Sequence, residues 1–356
     1  MIKRYFKTEK KIMALLLAGL LILSSGCGKK EVETTEEKQT FITVGFSQLG
    51  AESDWRVANT ESMRGSLTRQ AGFDLIFDDA QQKQDKQIMA IRKFIQQEVD
   101  CILLAPVTET GWDTVLQEAK DAEIPVVIVD RMVDVEDTNL YTAWIGSDFS
   151  KEGEVACEWL NEFAIRNDIA PEELRIVDLQ GTLGATAQIG RTSGLEKAAA
   201  KYGWTILDMV PADYTQAKGK EVMQRLLSEH EDINVVYAEN DNEAIGAIEA
   251  IEESGRTAGT DIKNGEILVI SFDAAKSGLT KVMEGKIALD VECNPLQGPE
   301  AGKIIKAVYN GNEFNKYTYV NENAFSCTDI VKSVSYKDGE YNITKLTQEI
   351  INRREY

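Results

Sequence analysis

Histidine is almost absent: among 356 residues only His230 occurs, within Ser228-Glu229-His230-Glu231-Asp232, which reads as a helix end. The five cysteines show no CxxC spacing, so no Cys/His cluster is present to hold a catalytic zinc, and no metal or other cofactor is expected. Glycine forms no GxGxxG pattern. Gly181-Thr182-Leu183-Gly184 lacks the GK[ST] ending of a phosphate loop, which sets nucleotide binding aside. Positive charge is scarce too, with 39 Lys and Arg against 59 Asp and Glu, a net charge of −20. Residues 1–26 carry five basic groups against Glu9, so the remainder stands at −24. A chain that acidic is repelled by nucleic-acid phosphates and anionic lipid headgroups. The apolar run at 12–23 is too short to span a bilayer as a mature helix.

That run has a different use. Lys3, Arg4, Lys7, Lys10 and Lys11 precede it, and Ser24-Ser25-Gly26-Cys27 follows, the layout of a secretory signal. The ending resembles the lipobox of bacterial lipoproteins, which implies cleavage after residue 26 and acylation of Cys27; Ser24 departs from its usual leucine. An ordinary signal peptide cut nearby is the alternative, and both readings place the mature chain outside the cytoplasm. Residues 27–40 are polar and charged, with too little apolar surface to offset the entropy of ordering, and read as a solvated tether. Cys101 opens an apolar run and reads as a buried small hydrophobe. Cys157, Cys293 and Cys327 are widely spaced, and no disulfide is expected.

The remaining stretch of roughly 315 residues exceeds what one core usually serves. Short β-branched runs at 42–46, 73–77, 101–104 and 126–129, then 175–179, 204–210, 235–238 and 267–271, alternate with amphipathic stretches. At 82–97, Ile88, Ile91 and Ile95 fall on one helical face. Similar stretches lie at 55–70, 111–122, 152–165, 186–201, 217–229 and 243–253. Strands separated by helices of this length form βαβ units, so the fold class is α/β, with two lobes built on parallel sheets.

In open parallel sheets ligands bind beyond the carboxyl ends of the strands. Those ends lead into Glu52-Ser53-Asp54-Trp55-Arg56, Asp130-Arg131, Gln180-Gly181 with Arg191 beyond, Glu239-Asn240-Asp241 and Asp273. Tyr214 adds a second flat surface to that of Trp55. Carboxylates, guanidiniums and an amide match sugar hydroxyls, which both donate and accept, while an aromatic face suits the C–H side of the ring. Other readings stand beside this one. Asp54, Asp241 or Asp273 could be a helix N-cap, Asp130-Arg131 a surface ion pair, Trp55 a core residue and Arg191 a solvated side chain. As a rim residue, Asp130 is expected to be removable without loss of the fold.

The chain resembles the periplasmic sugar-binding proteins of the ribose/galactose type, which serve ABC importers, and within them the galactofuranose binders. The resemblance runs from about Thr43 to Tyr319 on Gly45-Phe46-Ser47-Gln48, Glu52 through Arg56, Gln81-Gln82-Lys83-Gln84, Ala105-Pro106-Val107, Lys120 through Pro125, Leu179 through Ala185 and Gly219 through Met223. It implies ligand roles for Glu52, Trp55 and Arg56, with Ser53 and Asp54 between them, for Asp130 and Arg131, and for Arg191, Tyr214, Asn240 and Asp273. Asp54 stands where glycine is expected. The resemblance also implies a type I periplasmic binding protein fold: two Rossmann-like lobes joined by three crossings near 143–146, 292–294 and 320–322. The first lobe is then 41–143 with 294–320, and the second 146–291 with 323–356. The tail beyond Asn321 is longer than the resemblance implies and is left unassigned.

A monosaccharide ligand, an ABC permease partner, membrane contact through the lipid anchor only and a monomeric state are therefore expected, with no enzymatic activity. A sensory protein docking a chemoreceptor or sensor kinase would carry the same site. An extracytoplasmic glycosidase would need paired carboxylates of raised pKa, which nothing in the sequence around Glu52, Asp130 or Asp273 suggests.

Overall fold

The computed structural model describes residues 40–337 and 339–356. The leader, Cys27 and all but the last tether residue lie outside the described residues. From Phe41 onward the chain is one compact unit. It runs β1 (Ile42–Gln48), α1 (Asp54–Ser66), β2 (Phe73–Asp79), α2 (Gln84–Gln96), β3 (Cys101–Leu104), α3 (Asp113–Asp121), β4 (Val126–Val129) and β5 (Ala143–Gly146). Next come α4 (Phe149–Arg166), β6 (Arg175–Gln180), α5 (Thr186–Tyr202), β7 (Thr205–Pro211), α6 (Gln216–Glu229), β8 (Val235–Ala238), α7 (Asp241–Glu253), β9 (Leu268–Asp273), α8 (Lys276–Met283) and β10 (Leu289–Glu292). The chain closes with α9 (Gly298–Asn310), β11 (Tyr317–Tyr319), β12 (Ala324–Ser326), β13 (Ser333–Tyr336), β14 (Gly339–Lys345) and α10 (Gln348–Arg353).

The strands form two sheets, ordered β11-β5-β4-β3-β1-β2 and β13-β14-β12-β10-β9-β8-β6-β7. Every pairing in the first is parallel. In the second, parallel pairing gives way to antiparallel only between β10 and β12 and within the β13–β14 hairpin. Helices cover both faces of each sheet, which is why Cys101-Ile102-Leu103-Leu104 and Val126-Val127-Ile128-Val129 are buried at every position. Val44 and Phe46 pack with Met63 of α1 and Ile304 of α9. Ile102 and Ile128 pack on the opposite face with Phe94 of α2 and Leu116 of α3. Two further cores flank the second sheet, centred on Trp159, Leu160 and Phe163 of α4 and on Met223 and Leu226 of α6. The type I periplasmic binding protein architecture follows from this arrangement.

Three features depart from the sequence reading. Residues 143–146, read there as a crossing, form β5, paired with β4 before the chain leaves the first sheet. β10 went unread because Asp290 and Glu292 interrupt its apolar run; both are buried, and Asp290 accepts the Ala274 N–H at 2.9 Å. The unassigned tail completes the second sheet with β12, β14 and β13. Arg354 and Tyr356 then return to Glu292, the Tyr356 hydroxyl at 2.6 Å from Oε1.

The four described cysteines are free thiols, with Cys101, Cys157 and Cys293 buried. No helix among the described residues is long and apolar enough to cross a membrane.

Candidate functional site

Strand ends from both sheets converge on one small cavity. From the first sheet, the loop after β1 supplies Glu52 and Ser53, and α1 turns Trp55 and Arg56 inward. Asp130 and Arg131 follow β4. From the second sheet come Arg191 on α5, Tyr214 after β7, Asn240 after β8 and Asp273 at the end of β9. Asp54 is the exception among the expected ligand residues: it lies outside this lining, exposed on the opposite side of the first turn of α1. Ser53, not Asp54, caps that helix, its hydroxyl accepting the Arg56 N–H at 3.2 Å.

The charges are interleaved. Arg56 lies between Asp130, at 2.6 Å from Nη2, and Glu52, at 3.1 Å from Nε. Arg131 donates to the Val107 carbonyl at 2.6 Å and stands 3.8 Å from Glu52. Arg191 pairs with Glu152 at 2.8 Å, donates to the Glu239 carbonyl and approaches Asp273 at 3.5 Å. Asp130 is 3 % exposed, so it belongs to a buried charge network and the expectation of a dispensable rim residue is corrected. Burial pushes Asp273 well above the usual carboxylate range, with Arg191 opposing. Burial likewise raises Glu152, to about 7, against the pull of Arg191.

The backbone is strained at the site. Asp130, Tyr214 and Asp273 all hold left-handed conformations, with φ of 63°, 61° and 103°. Such conformations are uncommon for residues other than glycine and cluster at ligand clamps. Gly181 is needed for close approach, since a Cβ there would lie 1.9 Å from Cζ of Tyr214. Two lining residues keep a buried polar atom without a hydrogen-bond partner, the Tyr214 hydroxyl and Oε2 of Glu52, whereas Nη2 of Arg191 is taken up by Glu152. Burying unpaired polar groups is costly, so these atoms are free to bond a polar ligand. Burial raises the Tyr214 phenol far above its usual range, keeping it a proton donor.

Asn240 does two structural jobs, accepting the Glu243 N–H at 2.8 Å as the cap of α7 and donating to the Tyr214 carbonyl at 3.1 Å. Asp241 caps nothing on its own helix and instead accepts from Ser271 and the Ala275 N–H. Sequence reasoning missed Phe149, Ala187 and Cys293, which join Trp55 and Tyr214 in an apolar wall. Phe149 opens α4 directly after the first crossing and Cys293 lies in the second. Only the crossings' position under the cleft could have drawn attention to them.

The indole N–H of Trp55 donates to the Cys293 carbonyl at 2.6 Å, tying the cavity to the hinge. All three crossings meet there: Ser147 bonds Glu322 and lies 3.3 Å from the Cys293 thiol. Glu152, Cys293 and Glu322 have the composition of a metal site, as do Asp208, Glu229 and His230. Arg191 and Ser147 already take the carboxylates of the first group, and Arg225 takes Glu229 in the second, at 2.6 Å. The lobes are closed over the cavity, with the Glu109 N–H donating to the Gly184 carbonyl at 2.9 Å and the Met132 N–H to the Thr186 hydroxyl at 3.0 Å.

Residues 44–313 match the periplasmic binding protein domain family. The chain is 39% identical to the galactofuranose-binding protein of Escherichia coli (strain K12) over 282 residues, 78% of this chain and 85% of that one. A Mycobacterium smegmatis structure in complex with β-D-fucofuranose is 41% identical with a TM-score of 0.76, covering 81% of this chain and 92% of its own. The periplasmic binding component of the arabinose ABC transporter of Shewanella sp. ANA-3, bound to α- and β-L-arabinofuranose, is 40% identical with a TM-score of 0.73, covering 80% and 92%.

Proposed function

This chain belongs to the periplasmic binding protein family, and we propose that it captures a monosaccharide in furanose form outside the cytoplasm and delivers it to an ABC importer. The observation that carries the reading is the closed cavity in which three guanidiniums alternate with carboxylates while Tyr214 and Glu52 each keep an unspent polar atom. A polyol ring meets such a lining with donors and acceptors on every side, and exclusion of water strengthens each bond. Similarity to proteins solved with fucofuranose and arabinofuranose supports the ring form.

In this reading Glu52, Ser53, Trp55, Arg56, Asp130 and Arg131 hold the sugar from the first lobe, residues 41–146 with 294–320. Arg191, Tyr214, Asn240 and Asp273 hold it from the second, residues 147–291 with 323–356. Residues 1–26 are the signal peptide, Cys27 carries the lipid that tethers the mature chain to the membrane, and the protein works as a monomer that binds without catalysis.

Calorimetry tests the reading with methyl β-D-galactofuranoside, L-arabinose, ribose and methyl β-D-galactopyranoside. The hexofuranoside is expected to bind more tightly than ribose, because each missing hydroxyl leaves a closed-site group unpaired at about 1–3 kcal/mol. Tightest binding to the pyranoside, with no heat from the furanoside, overturns the ring form. No heat from any sugar overturns the function.

A further inference from the structure

We propose that Asp54 is a latch of the closed state, a positioning residue that holds the two lobes together without touching the ligand; this rests on the sugar-binding reading above. Asp54 is the first residue of α1, and successive helical residues point about 100° apart. With Trp55 and Arg56 turned into the cavity, Asp54 faces outward. There it meets the starts of two helices that flank the second sheet. Its backbone N–H, one of the first-turn donors that no helical carbonyl can satisfy, donates to Oδ1 of Asn242 at 3.1 Å. Its Oδ2 accepts the Ser277 hydroxyl at 2.8 Å. Asn242 and Ser277 are the second residues of α7 and α8, where the positive end of the helix dipole favours a carboxylate.

These bonds join residues 188 and 223 positions apart and exist only while the cleft is shut. The α8 side is braced against following Asp54 on opening. The Lys276 N–H donates to the Tyr356 carbonyl at 2.9 Å, and the Tyr356 hydroxyl holds Glu292 beside the second crossing. A glycine at 54 would keep the N–H contact and lose the carboxylate. Asp54, which stands where the resemblance leads one to expect glycine, thus adds closed-state stability that does not depend on the sugar.

Apparent affinity scales with the population of the binding-competent state. The contact is partly open to water, so its loss is expected to weaken binding by about three- to tenfold. Asp54→Gly, Ser277→Ala and the double variant of the full chain are titrated with methyl β-D-galactofuranoside and with L-arabinose, and dissociation is followed by stopped flow. Each single variant is expected to weaken both sugars by the same factor through faster dissociation, and the double variant to be no weaker than Asp54→Gly. A changed ratio between the sugars would put Asp54 on the ligand and overturn the latch, as would unchanged dissociation or fully additive losses. If the parent binds neither sugar, the furanose reading fails instead. The latch is then judged by small-angle scattering: a larger radius of gyration in Asp54→Gly upholds it, and an unchanged one overturns it.

Discussion

The guanidinium of Arg131 lies over the ring of Tyr214, 5.2 Å from its centroid, so the cavity is roofed by a contact between residues that follow strands of different sheets. Both side chains are buried, and the Tyr214 hydroxyl has no partner of its own. The contact spans the two lobes, which makes the pair part of the closed state.

Tyr214→Phe separates ligand binding from stability. Loss of one hydrogen bond in a closed site costs about 1–3 kcal/mol, or roughly 5- to 150-fold in affinity. Removing a buried, unpartnered hydroxyl costs the fold nothing, so the ligand-free melting temperature is expected to hold or rise while calorimetric affinity falls. A variant that melts lower and binds normally contradicts this.

Asp130→Ala is expected to fail twice. It strips Arg56 of its 2.6 Å partner in a buried setting, where breaking an ion pair typically costs about 3–5 kcal/mol, and it places alanine at φ 63°. Asp130→Asn keeps the shape and tolerates the left-handed backbone. Thermal unfolding should therefore show Asp130→Ala well below the parent and Asp130→Asn nearer to it, with sugar binding weakened in both. Equal melting temperatures for Asp130→Ala and the parent would remove the Arg56 bridge from the stability argument.

Stability should fall as the medium turns alkaline. Burial raises Glu152 and Asp290 to about 7, Glu239 to about 8 and Glu322 to about 9, all above their unfolded values. The folded state then holds more protons than the unfolded one between about pH 4 and these values. The stabilisation is complete below the unfolded pKa and is lost as pH climbs through the folded ones. Ligand-free melting temperature is expected to drop between pH 5.5 and pH 9, and Glu239→Gln to flatten the slope. A melting temperature that rises over this range contradicts the assignment.

Cys27→Ala tests the anchor. The variant is expected to leave the membrane fraction or to accumulate as uncleaved precursor. Normal processing with unchanged membrane fractionation would rule out acylation at Cys27.

The α/β class, most of the strands and ten of the eleven ligand-site candidates, those lining the cavity, were legible in local sequence patterns. β-branched runs buried on both faces and helices with one apolar stripe are local patterns, and the residues just past a parallel strand must lie at its carboxyl edge. Three features depend on contacts between segments distant in the chain. β10 was hidden because Asp290 and Glu292 look solvated until their partners, Ala274 and the distant Arg354 and Tyr356, are brought to them. Phe149, Ala187 and Cys293 carry no polar signature; Phe149 and Cys293 line the cavity because the crossings run beneath it, and Ala187 because the first turn of α5 faces it. Asp54 shares a turn with Trp55 and Arg56, so sequence proximity placed it with the ligand. Helical rotation turned it outward instead, to partners 188 and 223 residues away that no local pattern could supply.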